Sequence, residues 1–177
     1  PYIKLTNGLT IVETAAASLG IKNGNWVIAT NPEGFRNKQI ICNNKINDLI
    51  PSGGNSLNII NTGYTQGGAD TVFRALSFIP DQTEILIMNS DQVMIGDVKN
   101  LINNDVDIAI SVFNSDNTGY SYVIVDKNMM VIKAAEKIPI SNLACCGHFY
   151  FRNSNDYKKL FNIMKKNDIK TNNDKNP

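Results

Sequence analysis

Short apolar runs alternate along this chain with stretches whose apolar residues recur at helical spacing. Thr10 to Leu19 (TIVETAAASL) is rich in helix formers and ends at Gly20, which predicts a helix with a glycine C-cap. Trp26 to Thr30 (WVIAT) is a β-branched run closed by Asn31-Pro32, and predicts a strand. Lys38 to Ile50 carries Ile41, Ile46, Leu49 and Ile50 at helical spacing until Pro51 stops it. Leu57 to Asn61 (LNIIN) reads as a strand. Ala69 to Ile79 reads as an amphipathic helix with Val72, Phe73, Leu76 and Ile79 toward the core.

Glu84 to Met88 (EILIM) is a continuous apolar run, the kind of strand buried on both faces of a parallel sheet. A short helix over Asp97 to Asn103 follows. Strands are predicted at Ile108 to Phe113, Tyr120 to Val125 and Met130 to Ala134, the last two joined by the turn Asp126-Lys127-Asn128. Phe149 to Arg152 closes the set, and Asp156 to Lys165 makes a final helix. Strand and helix alternating at this spacing predict an α/β domain with a mixed, mostly parallel sheet and helices on both faces. One domain is expected over residues 1–165, followed by a polar tail over 166–177.

Composition narrows what such a domain can do. With 177 residues there is room for one substantial core. Seventeen Lys+Arg against sixteen Asp+Glu leave a charge of +1, so the field of a general nucleic-acid binder is missing and any anion must be held by a local site. No apolar run approaches the ~18 residues of a membrane span, and no stretch reads as a signal peptide. Cys42, Cys145 and Cys146 are odd in number and lack CxxC spacing. That excludes a disulfide framework and a cysteine zinc site, and predicts a reducing, cytoplasmic setting. The abundance of Asn, Ile and Lys reads as the codon bias of an AT-rich genome.

Three stretches could carry chemistry. Thr65-Gln66-Gly67-Gly68-Ala69-Asp70-Thr71 places a glycine pair between a strand and a helix, where a ligand can approach bare backbone and free N–H groups. It is neither a P-loop nor GxGxxG, and Asp70 or Thr71 could equally be a simple helix cap. Met88-Asn89-Ser90-Asp91-Gln92 lies at the carboxyl end of the apolar strand, where open α/β sheets bind ligands. Asp91 there suits Mg²⁺ beside phosphates, or else caps the following turn. Ala135-Glu136-Lys137-Ile138-Pro139 ends a strand with an acceptor for sugar hydroxyls and a cation for phosphate, or with a solvated pair. His148, the single histidine, reads as structural, and Cys145-Cys146 as core packing.

In this order the pieces resemble the sugar-phosphate nucleotidyltransferases, the NDP-sugar pyrophosphorylases with a Rossmann-like nucleotide-binding domain. Gly67-Gly68-Ala69-Asp70-Thr71-Val72 is similar to the family's Gly-Thr-Ala-Asp segment, and Asn89-Ser90-Asp91 to its metal-binding strand end. Gly119-Tyr120-Ser121-Tyr122 followed by Val125-Asp126 is similar to its Tyr-Gly segment, with Ser121 where Gly is usual. Val131 to Lys137 (VIKAAEK) is similar to the Glu-Lys motif, and Gly147-His148-Phe149-Tyr150-Phe151 to the Gly-x-Tyr-x-Phe strand.

The resemblance implies transfer of a nucleotidyl group from a nucleoside triphosphate to a sugar 1-phosphate, giving a nucleotide sugar and pyrophosphate. Gln66, Gly67, Gly68 and Ala69 would meet the nucleotide, and Tyr120, Ser121, Glu136 and Gly147 the sugar. Lys137 would hold the sugar phosphate, and Asp91 would bind Mg²⁺. Neither nucleic acid nor membrane is implied as a partner, and self-association is left open. The family's Gly-rich, Arg-containing loop and its second metal-binding Asp have no counterpart here. The expectation is therefore the middle portion of such an enzyme, inactive alone. Two alternatives remain: a non-catalytic nucleotide-sugar-binding or regulatory domain of the same fold, and a metal-dependent glycosyltransferase. The latter would normally want a second carboxylate where Gln92 and Val93 stand.

Overall fold

The computed structural model describes residues 3–21, 24–37, 56–102 and 105–169. The helix expected over Lys38 to Ile50, Cys42 and residues 170–177 of the polar tail lie outside the described residues. Helix α1 (Ile11–Ser18) begins with a complete capping box, in which the Thr10 hydroxyl accepts from the Glu13 amide and the Glu13 carboxylate accepts from the Thr10 amide. Its Val12 packs on Trp26 and Ile28 of β1 (Trp26–Thr30) and on Leu57 and Ile59 of β2 (Leu57–Asn61). These two strands pair in parallel, Trp26 with Leu57 and Ile28 with Ile59. A short helix α2 (Pro32–Arg36) leaves β1, with Asn31 capping it through the Gly34 amide.

Helix α3 (Gly68–Ala75) is shorter than the sequence predicts and runs into a 3₁₀ turn at Leu76–Phe78. Pro80 holds the preceding Ile79 extended, which ends the helical stretch. The helix expected over Asp97 to Asn103 is a 3₁₀ turn, Val98–Asn100, within the described residues. There the Asp97 carboxylate accepts from the Lys99 amide, a local bond that competes with helix propagation.

A second sheet holds β3 (Ile85–Met88), β4 (Ile108–Asn114), β5 (Ser121–Val125), β6 (Val131–Glu136) and β7 (Leu143–Phe151). The expectation of a mostly parallel sheet needs correction. Among the described residues β1–β2 is the parallel pair, whereas β3, β4 and β5 each pair antiparallel with β7, and β6 pairs antiparallel with β5. Strands β3, β4 and β5 do run in one direction, but β7 returns between them and takes their hydrogen bonds. The β5–β6 pair is antiparallel because the turn at Asp126 is tight: Asp126 Oδ1 accepts from the Asn128 and Met130 amides. Strand β3 is not buried on both faces either, since Ile85 is buried and Leu86 to Met88 are half-buried.

The larger sheet carries its helices on the face of Ile85, Ile87, Phe149 and Phe151. These residues pack against Val72, Leu76 and Ile79, and against Tyr157 of helix α4 (Ser154–Lys166). Helices α3 and α4 are joined by Phe73 and Phe161, stacked at 4.3 Å. No helix among the described residues is long and apolar enough to cross a membrane.

Candidate functional site

Strand β7 carries an irregularity that organises one side of the site. Ile110 of β4 pairs with Phe149 and Val112 with Cys145, so Ser111 alone faces Cys146-Gly147-His148. The extra residues form a bulge, a device common beside active sites. Gly147 takes φ +75°, a conformation that side chains rarely adopt. A Cβ there would fall 1.9 Å from Gln92 Oε1 and 2.5 Å from Asn89 Nδ2. The bulge therefore lies directly under the segment that leaves the carboxyl end of β3.

Strands β3 and β5 share the same edge of β7. Met88 of β3 pairs with His148, and Tyr122 of β5 pairs with Ala144. The end of β3 and the start of β5 thus approach each other at the bulge. This brings the Asn89–Gln92 segment and Gly147 close to Ser121 at the start of β5, from elements far apart in sequence, while the Tyr120 ring meets Phe113 of β4 edge-on at 5.0 Å. The Asn89 amide donates to Gln92 Oε1 at 3.1 Å, and the Met94 amide donates to Ser18 Oγ of α1 at 2.8 Å, so the segment is pinned on both sides of Asp91. Asp91 itself is exposed, with no hydrogen bond or ion pair among the described residues.

Glu136 ends β6 opposite Ser121, and the Ser121 hydroxyl donates to Glu136 Oε2. Because Tyr122 faces Ala144, Ser121 falls beside Cys145, giving a row Glu136–Ser121–Cys145 on one face of the sheet. Burial raises the Cys145 thiol above its ordinary value, and the charges of Cys146 and Glu136 add to the effect. Cys145 was read from sequence as core packing; the register places it in the site row. Lys137 follows with φ +55°, a rare conformation for lysine that breaks the strand alternation just after Glu136. Lys137 is exposed.

The Gln66–Ala69 turn is built differently. Gly67 precedes α3 with φ +129°, and a Cβ on either Gly67 or Gly68 would meet nothing within 4 Å. Bare backbone is open there to an approaching ligand. Asp70 accepts from the Gln66 amide at 3.0 Å and from Arg74 Nε and Nη2 at 3.2 and 2.9 Å. The Arg74 guanidinium, with the Gln66 amide, holds the Asp70 carboxyl below the usual carboxylate range. Thr71 Oγ1 lies 2.6 Å from Thr65 Oγ1 and donates to the Gly67 carbonyl. From α4, the Tyr157 hydroxyl donates to the Ala69 carbonyl at 3.0 Å and Lys165 Nζ to Gln66 Oε1 at 2.8 Å. Burial pushes the Tyr157 hydroxyl up to about 12.

The turn and the row stay separate in their bonding. No hydrogen bond or ion pair among the described residues links Gln66–Ala69 to Asp91, Glu136 or Lys137. A groove of about 590 Å³ adjoins the turn at the carboxyl ends of β1 and β2, with Thr30, Asn31, Glu33, Thr62, Tyr64 and Thr65 among its walls. The Tyr64 hydroxyl bridges it to Glu33 Oε1 at 3.2 Å. Sequence reading took Asn31-Pro32 only as a strand stop; a strand end followed by an Asn cap was the signal available.

His148 is 1% exposed, and neither ring nitrogen has a hydrogen-bond partner among the described residues. Burial holds its pKa below the ordinary value, so the ring is neutral. Nearby, Ser111 Oγ lies 2.6 Å from Cys146 Sγ and donates to the His148 carbonyl at 3.3 Å.

This fold is shared with solved structures. The chain is similar to the nucleoside-diphosphate-sugar pyrophosphorylase from Vibrio cholerae RC9, at 20% identity and TM-score 0.68, over 93% of this chain and 69% of that one. It is similar to a UDP-glucose pyrophosphorylase complexed with UDP-glucose, at 11% identity and TM-score 0.67, over 93% of this chain and 70% of that one. For the inositol-1-phosphate CTP transferase from T. maritima the values are 17% and 0.65, over 92% of this chain and 69% of that one. No protein-family model matches the sequence, and no curated protein matches it. At these identities the likeness establishes the fold alone, a mixed α/β fold shared with these structures.

Proposed function

We propose that this chain supplies the nucleotide- and sugar-phosphate-binding surface of a nucleotidyltransferase that joins a nucleoside triphosphate to a sugar 1-phosphate. The observation that carries the reading is the convergence at Gly147. A strand-end carboxylate segment and the start of β5 meet there, beside the Glu136 row, on a fold shared with NDP-sugar pyrophosphorylases.

In this reading the open backbone at Gly67 and Gly68 receives the nucleotide. Glu136 accepts from sugar hydroxyls, Tyr120 and Gly147 border the sugar, and Lys137 pairs with the sugar phosphate. A phosphate monoester oxygen is already ionised at neutral pH, so no general base is needed. That oxygen attacks the α-phosphorus, the bond to the bridging oxygen breaks, and pyrophosphate leaves with the electron pair. The protein's part is positioning and charge neutralisation.

Mg²⁺ fits what Asp91 offers. The carboxylate is exposed and unengaged among the described residues, and no group of three or more His, Cys, Asp or Glu there could enclose a metal. One carboxylate completed by substrate phosphates is a common way to hold this ion. When bound, it would neutralise phosphate charge.

Calorimetry on the 177-residue chain tests the reading with UDP-glucose, other nucleotide sugars and nucleoside triphosphates with Mg²⁺. Nucleotide sugars should bind, with affinity falling about tenfold or more in Lys137→Ala as a charge-assisted contact is lost. Asp91→Asn should remove the Mg²⁺ dependence of triphosphate binding. Absence of heat with every nucleotide and nucleotide sugar would end the proposal.

A further inference from the structure

The Ser121–Glu136 pair carries information about the substrate, resting on the reading just proposed. A carboxylate has two oxygens and can accept several donors. Here Oε2 of Glu136 is already taken by the chain's own Ser121 hydroxyl, and the two residues are fixed opposite each other by the β5–β6 register. Oε1 has no hydrogen bond among the described residues. Ser121 also stands between Glu136 and Cys145 in the row, so its side chain occupies the middle of the surface that the sugar would cover.

We infer that Ser121 substitutes internally for one sugar hydroxyl, so that the site takes a deoxy sugar 1-phosphate in preference to its fully hydroxylated parent. A sugar hydroxyl arriving at Oε2 competes with the serine hydroxyl for that oxygen and for the space beside it in a partly buried row. A deoxy sugar at that position leaves the Ser121–Glu136 bond intact and sets a C–H group against it. The row has a second feature suited to this: the neutral Cys145 thiol, a weak hydrogen-bonding group, next to Ser121.

The test is calorimetry of the full chain with glucose 1-phosphate and each of its monodeoxy analogues, on wild type, Ser121→Ala and Ser121→Gly. In wild type, at least one deoxy analogue should bind more tightly than glucose 1-phosphate. In both variants the parent should gain about tenfold over that analogue, the scale of a hydrogen bond to a charged group. Ser121→Ala keeps most of the side-chain volume, separates the lost hydroxyl from the added space, and serves alone if the glycine variant does not fold. If no deoxy analogue binds more tightly than the parent in wild type, or if the ratio is unmoved in Ser121→Ala, the inference is overturned. Loss of glucose 1-phosphate binding in Lys137→Ala, with that ratio unmoved, would overturn it while sparing the underlying reading. No binding of any sugar phosphate by folded wild type and variants would overturn both.

Discussion

At the Gln66–Ala69 turn the side chains are turned inward, onto the loop's own backbone. Asp70, Thr71, Tyr157 and Lys165 bond to Gln66, Gly67 and Ala69, and the surface left for a ligand is peptide. Along the Glu136–Ser121–Cys145 row the relation is reversed. The sheet ladder holds the backbone, and the side chains are the surface. In the proposed function the first arrangement would read shape and main-chain donors, and would tolerate side-chain change only where no Cβ is added. The second would read hydroxyls and charge, and would depend on each side chain by name. Positive φ is found on both sides, at Gly67 in the turn and at Gly147 and Lys137 beside the row, and of these only Lys137 is strained by it.

The strongest way to break this comparison is at the bulge. Gly147→Ala should cost about 1–3 kcal/mol of stability from its left-handed backbone alone. It should also separate Asn89 from Gln92, because the new methyl would lie where their side chains now meet. Denaturant unfolding measures the first effect, and loss of nucleotide-sugar binding the second. Unchanged stability would mean the bulge is not the rigid platform described.

The glycine pair sharpens the contrast within the turn. Gly67→Ala should cost about 1–3 kcal/mol, because φ +129° with ψ 179° is a region essentially reserved for glycine. Gly68→Ala, inside the helix, should leave the fold intact or stabilise it by about 0.5–1 kcal/mol. Yet Gly68→Ala places a methyl in open space and should weaken nucleotide binding. Equal nucleotide affinity in Gly68→Ala and wild type would remove the turn from the site.

Lys137 offers the opposite signature. Lys137→Gly relieves a left-handed lysine and should gain about 1 kcal/mol of stability, while glucose 1-phosphate binding falls. A variant that is more stable and binds equally well would show the strain to be incidental.

The smallest effect concerns pH. His148 is buried and neutral, with its pKa held below the ordinary value. The unfolded chain takes up a proton as pH falls below about 6.5, whereas the folded chain does so only at lower pH. The contribution of this position is therefore complete above that pH, begins to fall below it, and is lost as pH drops through the lower folded value. His148→Leu should flatten the decline in stability below about pH 6.5. A slope equal to that of wild type would indicate that the ring finds a partner on protonation.

Local order in the chain was enough to place most elements. The strands WVIAT and LNIIN occur at the predicted residues, and the Thr10–Glu13 capping box, the Asp126 turn and the strand-end position of Asp91 are written in neighbouring residues. Such features arise from bonds spanning a few positions, so their signal is contiguous. Strand direction, the length of β7 and the placement of Cys145 beside Ser121 were not legible. Each depends on which edge of β7 is met by strands tens of residues away, and on a bulge that offsets the register by two residues at Cys146-Gly147-His148. The sequence determined which polar and glycine residues stand at the strand ends and turns. The long-range pairing of β7 decided which of them share a surface, because hydrogen-bond register is a property of two strands and is encoded in neither alone.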